Sequence, residues 1–331
     1  MLVYAHVIEA ENAGNTMSSG RPLVETADAA RPAPHVAVVI LHWGLVEVTT
    51  RCLQSLARAV FPGKKTLLLV DNTRCLDHAL AGVVAPLQIE VHRPDCNLGF
   101  AKGCAWGIAR AMEHGADYVL LLNNDVVVEP SFLEALLGAA DQSPDAGVLC
   151  PQIMSPRKLW YAGGTFSLWS GIPVQERPKR AAPLRGQPRE VDYATGCAML
   201  IAAAVVDAIG SFDPEFFMYC EDLDFSLRAR QAGFKILLVP ASLVHHAVTD
   251  ETDRASLRIY YSTRNLLEVM RRHAAWYQWP GFGLNFLVRW VGFFTLLACA
   301  RRRPEFIRAL ASGAVDFARG RLGPKQASAR P

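Results

Sequence analysis

No two of the eight cysteines (Cys52, Cys75, Cys96, Cys104, Cys150, Cys197, Cys220 and Cys299) form a CxxC pair, and their spacing is irregular. That excludes a zinc ribbon and a disulfide frame, and it fits the reduced thiols of a cytosolic protein. There is no internal repeat, which excludes solenoids and propellers. Charged residues make up only 20% of the 331 positions against 51% hydrophobic, so the chain is too apolar for a disordered protein and long enough to bury a large core. The N-terminus, "MLVYAHVIEAENAG", lacks a basic region followed by a long apolar core, so no signal peptide is expected. Near the other end, "PGFGLNFLVRWVGFFTLLACARRRP" (280–304) offers a clean apolar run of only about eleven residues after Arg289, short of the roughly twenty that span a bilayer. A dinucleotide loop is missing as well. In "NLGFAKGCAWG" the glycines Gly99, Gly103 and Gly107 follow GxxxGxxxG, not GxGxxG, and the chain has no glycine fingerprint with an acidic residue about twenty positions beyond it, which disfavours an NAD-dependent oxidoreductase.

What is present is unevenly distributed. Residues 254–331 hold fourteen Lys/Arg against three acids, about +11, which leaves about −8 for the rest and a net +3. Three regions follow: a loose extension over 1–34, a globular domain over 35–275, and a basic, amphipathic helical tail over 276–331. Within the domain, strand and helix alternate: "HVAVVILHW" (35–43), "KTLLLVDN" (65–72), "LQIEVHR" (87–93) and "DYVLLLNND" (117–125) read as strands, with helices over 47–60 and 99–115 between them. That order implies a mostly parallel sheet flanked by helices. A further strand is expected over 196–206, and the Pro- and Arg-rich stretch 176–190 reads as a mobile surface loop.

Two of the apolar runs end in acids and amides, Asp71-Asn72 and Asn123-Asn124-Asp125. A single Asp-Asn is more often a turn former or helix cap, but two such tips on one parallel sheet converge on the edge where open α/β sheets bind ligands. The small-residue stripe at Gly99, Gly103 and Gly107 lets a helix approach either the sheet or a ligand closely. Glu221, Asp222 and Asp224 precede an Arg-containing helix; acids there favour the helix dipole, yet beside Phe216, Phe217 and Tyr219 a carboxylate's pKa rises, as a general base requires. His245 and His246 sit at a strand end, where a His near carboxylates can ligate a divalent cation.

In this order "LHWG", "VDN", "NLGFAKG", "NND", "TGCAML", "FDPEFFMYCEDLDFSLRARQAGF", a His after "VP" and "YYSTRNLLEVMRRH" resemble the inverting nucleotide-sugar glycosyltransferases of family two, over about 36–275. The tail's "ARGRLG" (318–323) is similar to a motif of the rhamnosyltransferase branch. The resemblance implies a GT-A (Rossmann-like) fold. It implies a nucleotide site made by Trp43, Asp71, Asn72, Asn97, Gly99, Phe100, Lys102, Gly103 and Asn124, with Asp71 accepting the N3 hydrogen of uracil or thymine. It implies Mg²⁺ or Mn²⁺ at Asp125 with Asn123 and His246, and catalysis by Asp222 as base beside Glu221. Two positions depart from the family pattern: Asn stands where many relatives have the first Asp of the metal motif, and Cys104 where relatives often carry Asn.

The implied reaction moves a sugar, with L-rhamnose the best candidate, from a dTDP- or UDP-sugar to a lipid-linked or polysaccharide acceptor in cell-envelope glycan synthesis. The rival from another class is a non-catalytic nucleotide-sugar-binding module, which would need Asp71 and Asp125 but not Asp222. The tail's Trp276, Trp279, Trp290 and Arg301–Arg303 suit a headgroup-level position on an anionic membrane surface, which implies peripheral attachment to the inner face of the cytoplasmic membrane. The apolar and Trp content of the tail argues for lipid and against nucleic acid.

Overall fold

Seven consecutive buried residues, Val36–His42, form the first strand, β1. A strand buried on both faces needs helices on both sides, and the alternation of strand and helix supplies them. The computed structural model describes residues 32–76, 88–156, 158–177, 182–246 and 255–325. Ala33–Pro331 form one compact unit. After β1 come α1 (Val46–Arg58), β2 (Lys65–Asp71), β3 (Ile89–His92), α2 (Gly99–Glu113), β4 (Tyr118–Asn123), β5 (Val126–Val128) and α3 (Phe132–Gln142). Next are β6 (Ala146–Ser155), β7 (Lys158–Tyr161), β8 (Gly164–Thr165), β9 (Val174–Gln175), β10 (Arg189–Glu190), β11 (Ala198–Ala202) and α4 (Ala203–Ile209). The chain closes with α5 (Glu221–Gln231), β12 (Lys235–His246), α6 (Ala255–His273), α7 (Trp279–Asn285), a π-helical stretch (Phe286–Val291), α8 (Gly292–Ala300) and α9 (Glu305–Ala318).

The main sheet runs β10-β12-β6-β11-β4-β1-β2-β3, with β5 paired to β12 and β7 to β6. β3, β2, β1 and β4 are parallel, while β11 is antiparallel to both β4 and β6. This is the mixed, mostly parallel sheet of the GT-A fold. The chain order reverses at β1, which lies between β2 and β4, and such a switch point opens a crevice at the carboxyl ends of the strands. Register aligns those ends: His42 pairs with Asp71, and Leu41 with Asn123. The two polar tips therefore share one sheet edge.

Three expectations change. The run 196–206 is strand only to Ala202; Ala203-Ala204, strong helix formers, start α4, which stops at Gly210 with φ 74°. Of the stretch 176–190, residues 178–181 lie outside the described residues, and its end is ordered as β10 on β12. The tail differs most. Trp276–Ala300 is one 25-residue helix, long and apolar enough by length and composition to cross a membrane. The sequence count broke this run at Arg289, but one cation on a flexible stem does not end a helix. The expected extension over 1–34 lies almost wholly outside the described residues.

That long helix has two faces. Trp279, Phe282, Phe286 and Trp290 pack on Leu266, Leu267 and Met270 of α6, and the Trp290 indole N–H donates to Thr263 at 3.0 Å. Leu284, Leu287, Val288, Phe293 and Leu296 are exposed. Trp276 is exposed as expected for an interfacial anchor, whereas Trp279 and Trp290 are turned to the protein.

Candidate active site

β4 is buried through Leu122 and ends where Asn124-Asp125 turn the chain into β5. β5 leaves the parallel array and pairs antiparallel with the end of β12, Val126 opposite His246. This register sets Asp125 beside His246: Asp125 Oδ2 lies 3.0 Å from His246 Nε2. Asp125 Oδ1 and His246 Nδ1 are buried without a hydrogen-bond partner. Trp160 covers the imidazole, ring centroids 5.1 Å apart. The neighbouring His245 points elsewhere, to Glu129 Oε1 at 2.8 Å, with its side chain 46% exposed against 13% for His246. Asn123 closes β4 half-buried, its N–H on the Cys197 carbonyl at 2.9 Å. Asn124 is buried and donates its amide to the Trp43 carbonyl (3.0 Å) and the Thr49 hydroxyl (2.8 Å), so it braces the β1–α1 loop.

The β2 tip is built differently. Asp71 is fully buried, and its carboxylate accepts from the Thr73 N–H and hydroxyl and from the Leu76 N–H, each at 3.1 Å. Burial alone would raise its pKa; the Leu76 and Thr73 bonds outweigh it and hold the carboxyl below the ordinary range. The turn-forming reading of Asp71 therefore holds in the fold, and any base contact would use remaining lone pairs. His42, Asp71 and Cys75 form one group whose potential ligand atoms all lie within 4.8 Å, an adjacency that cysteine spacing does not reveal.

Hydrogen-bond polarity assigns the protons in this group. The Thr73 hydroxyl must donate to the Asp71 carboxylate, so the Cys75 thiol, 2.9 Å away, donates to Thr73. Cys75 then accepts from His42 Nε2–H at 3.2 Å, and Nδ1 accepts from the Thr49 hydroxyl at 2.6 Å. Burial lowers the His42 pKa against the opposing charge of Asp71, in keeping with this neutral tautomer. A one-way chain thus links Asn124, Thr49, His42, Cys75, Thr73 and Asp71.

The third element is the turn before α5. Phe217, Tyr219 and Cys220 have φ of 63°, 66° and 67°. With ψ −59° and a Met218 N–H to Phe216 carbonyl bond of 2.8 Å, Phe217 is the centre of a γ-turn of the rare positive-φ kind. Each such residue costs about 1–3 kcal/mol and persists only where the surroundings over-determine it. The turn delivers Glu221 and Asp222 into the crevice at the start of α5. Asp222 accepts from the Gly196 N–H (3.0 Å) and the Leu223 N–H (2.8 Å). Burial raises its pKa over the opposing effect of these bonds. Glu221 is raised well above the ordinary range, by burial first and by the charge of Asp222 second, and its Oε2 has no partner. Asp224, the third acid, is structural: it takes His273 at 2.9 Å and Arg228 at 2.8 Å, which outweigh burial and hold its carboxyl low.

The glycine-rich segment serves packing first. A Cβ at Gly103 would lie 2.6 Å from the Leu41 side chain, and one at Gly107 2.2 Å from Val39, so these glycines seat α2 on β1. Gly99 (φ 73°) leaves room for Phe217, 2.5 Å from such a Cβ. Asn72 is committed to the same loop, donating to the Gly99 carbonyl and accepting from the Leu98 N–H, both at 3.2 Å. Asn97 accepts from the Gly99 N–H at 2.8 Å. Phe100 lies beside Gly196, next to the base, and tilts against Phe212 at 6.4 Å. Lys102 and Trp43 are exposed. The expected nucleotide residues thus lie at the β1, β2 and β4 tips and before and at the start of α2, and several of them hold the loops there. Sequence reading passed over His42, Thr49, Cys75 and Gly196. For His42 and Gly196 the signal was their place inside the quoted "LHWG" and "TGCAML" blocks.

Burial pushes up the thiol pKa values of the buried Cys104 and Cys197 and of the half-buried Cys220, so none is a thiolate nucleophile.

Known proteins similar to this chain are glycosyltransferases. The chain is 28% identical over 244 residues to the N-acetylglucosaminyl-diphospho-decaprenol L-rhamnosyltransferase of Mycobacterium tuberculosis, covering 65% of this chain and 78% of that protein. It is 29% identical over 145 residues to rhamnosyltransferase WbbL of Escherichia coli, covering 40% of this chain and 54% of that one. Among solved structures, S. aureus TarS in complex with UDP-GlcNAc superposes with a TM-score of 0.57 at 15% identity, over 86% of this chain and 81% of that chain. The description "Glycosyltransferase like family 2" matches residues 32–278. The chain belongs to that glycosyltransferase family.

Proposed function

We propose that the protein transfers a hexose, with L-rhamnose the best-supported sugar, from a dTDP- or UDP-sugar to a lipid-linked diphosphate acceptor, with inversion at the anomeric carbon. The observation that carries this reading is Asp222. It is a half-buried carboxylate with a raised pKa, oriented by two backbone N–H groups at the start of α5. A base of this kind accepts the proton of the acceptor hydroxyl as that oxygen forms its bond to the anomeric carbon and the bond to the nucleoside diphosphate breaks. The names of the mycobacterial and E. coli relatives support the choice of rhamnose, and the former also supports a polyprenyl-diphosphate acceptor.

The residues at the β4 tip fit a divalent cation. Asp125 Oδ1 and His246 Nδ1 are buried polar atoms without partners, and oxygen with imidazole suits Mg²⁺ or Mn²⁺. Asp125 and His246, with Asn123 beside them, would hold the ion. When bound, it stabilises charge on the leaving diphosphate. Asp71 marks the nucleobase end of the crevice, and Glu221, whose pKa is raised by burial and by its neighbour's charge, stands beside the base.

The tail suits an acceptor in a membrane. The helix Trp276–Ala300 docks one face on α6 along its length and exposes the other, as a helix lying in the interface does. This arrangement supports attachment to the inner face of the cytoplasmic membrane, aided by the exposed Arg301 and Arg302.

The test is Asp222→Asn. It keeps size and most hydrogen bonds but removes the basic oxygen, so turnover should fall about 10²–10⁴-fold. Donor affinity, measured by calorimetry with dTDP- and UDP-sugars, should be unchanged. Near-normal transfer by Asp222→Asn would overturn Asp222 as the base. Donor binding with no transfer by the unmodified protein to any polyprenyl-diphosphate acceptor would favour a binding module.

A further inference from the structure

The strained turn before α5 has an unusual set of supports. α6 presents Asn265, fully buried, whose amide nitrogen lies 2.9 Å from the Phe216 carbonyl and 2.8 Å from those of Met218 and Tyr219. Its Oδ1 accepts from Arg264 Nε at 2.8 Å, which fixes the amide so that nitrogen faces the turn. Arg264 is itself buried between the ring faces of Tyr260 and Tyr261, 5.5 and 5.0 Å from their centroids. Its guanidinium donates to the Phe216 carbonyl at 3.0 Å and to the Gly323 carbonyl at 2.7 Å.

Gly323 belongs to the "ARGRLG" segment beyond α9. Its N–H returns to the Glu215 carbonyl at 2.6 Å, and two residues on the Lys325 N–H donates to the Tyr261 hydroxyl at 2.7 Å. α9 is tied to α6 through Tyr260 and Asp316 at 2.7 Å. From the opposite side the first N–H groups of α2, Phe100 and Ala101, take the Phe217 carbonyl at 2.7 and 3.1 Å. Every carbonyl from Phe216 to Tyr219 therefore has a donor outside the turn. Satisfying buried carbonyls needs no more than one donor each. Here three donors, from Met218, Arg264 and Asn265, lie within hydrogen-bond distance of the Phe216 carbonyl, with the two Asn265 N–H groups shared among three carbonyls, and two of these donors come from adjacent residues of one helix braced by a distant segment.

We infer that Arg264 and Asn265, clamped by the strap at Gly323, are positioning residues that hold the Phe216–Cys220 turn so that Asp222 meets the acceptor hydroxyl in line with the sugar. The inference rests on the reading of Asp222 as the base. It gives the basic tail a second role, since the segment after α9 becomes part of the machinery that sets the base.

The test uses the full chain with Asn265→Ala, Arg264→Lys and Gly323→Val. Lysine keeps a charge but cannot span the two carbonyls. Valine at Gly323 meets open space and disturbs only a backbone at φ 78°, loosening the strap from outside the core. Hydrogen exchange of the Phe217–Leu223 amides should quicken in all three. For Asn265→Ala, kcat should fall about 10²-fold, the cost of a reacting group displaced by about 1 Å, while donor KM and donor Kd hold steady. Gly323→Val should show a smaller fall of the same kind. Unchanged exchange in these amides, or kcat and donor KM worsening together, would overturn the inference. Failure of Asp222→Asn to lose turnover would count against the base alone, because the exchange measurement reads the clamp without any activity.

Discussion

The two acid-bearing ends of the crevice differ in what they leave open. At the β2 end Asp71 is enclosed by three donors, and the chain from Asn124 to Asp71 assigns a partner to each proton. At the β4–α5 end, Asp125 Oδ1, His246 Nδ1 and Glu221 Oε2 are the buried side-chain atoms without a partner among the described residues. An unpaired buried polar atom costs about 1–3 kcal/mol, so a fold that concentrates such atoms in one crevice keeps them for something bound there. One end is closed by the protein's own donors; the other leaves three atoms open.

Alanine at each end should separate these roles. Asp125→Ala removes a group that faces the ligand, so the folded protein should persist while metal-dependent donor binding and turnover fall together by about 10²-fold or more, the scale of losing a major electrostatic contact at the leaving group. Asp71→Ala leaves the Thr73 and Leu76 donors stranded in a buried site and should cost roughly 3 kcal/mol of stability by denaturant unfolding. Because the folded pKa of Asp71 is lowered, its contribution is present above the unfolded carboxylate pKa and is lost as pH falls through the folded value. If Asp125→Ala proves the less stable of the two and still binds donor with metal, the contrast between the ends is wrong.

The tail offers a smaller effect. Deleting it would remove the α9 and Gly323 contacts along with the exposed apolar face, so membrane attachment is better tested on that face alone. Leu287→Glu and Leu296→Glu should each weaken partitioning onto phosphatidylglycerol vesicles roughly tenfold, the worth of one Leu side chain kept out of water. Binding should also decline with salt through Arg301 and Arg302. Retained binding with both substitutions would remove this face from the membrane.

Much of the fold was legible because the signals were local. β1, β2 and β4 are unbroken apolar runs with polar tips, and the observed strands fall within a residue or two of their expected spans. The crevice was legible because parallel strands in register put their tips on one edge. What could not be read depends on contacts between distant segments. Gly99 is glycine because of Phe217, more than a hundred residues on, and Gly103 because of Leu41. Which histidine faces Asp125 is decided by the pairing of β5 with β12, since a one-residue slip would exchange His246 for His245. Arg264 was legible only as part of the "YYSTRNLLEVMRRH" block, and its burial and its bond to the distant Gly323 carbonyl are visible only in the structure.

The finest test of the contrast is Glu221, the one member of the partnerless set that also neighbours the base. Burial and the Asp222 charge raise its pKa, so between the unfolded and folded values the native state binds more protons than the unfolded one. Stability must then fall as pH rises through that window, the opposite of Asp71. Glutamine has nearly the same shape and never ionises, so Glu221→Gln should leave stability unchanged below about pH 4, where the unfolded glutamate is itself protonated. Above it the variant should become the more stable and show the higher Tm, by a margin that grows as pH rises. Glu221 and Asp222 titrate as a pair, so the measured onset belongs to both, and Asp222→Asn should shift it. A Tm difference between Glu221→Gln and the parent that stays flat from pH 4 to pH 8 would mean that Glu221 ionises in the folded protein at no cost. Its Oε2 would then be solvated or paired, and the crevice would hold two open atoms in place of three.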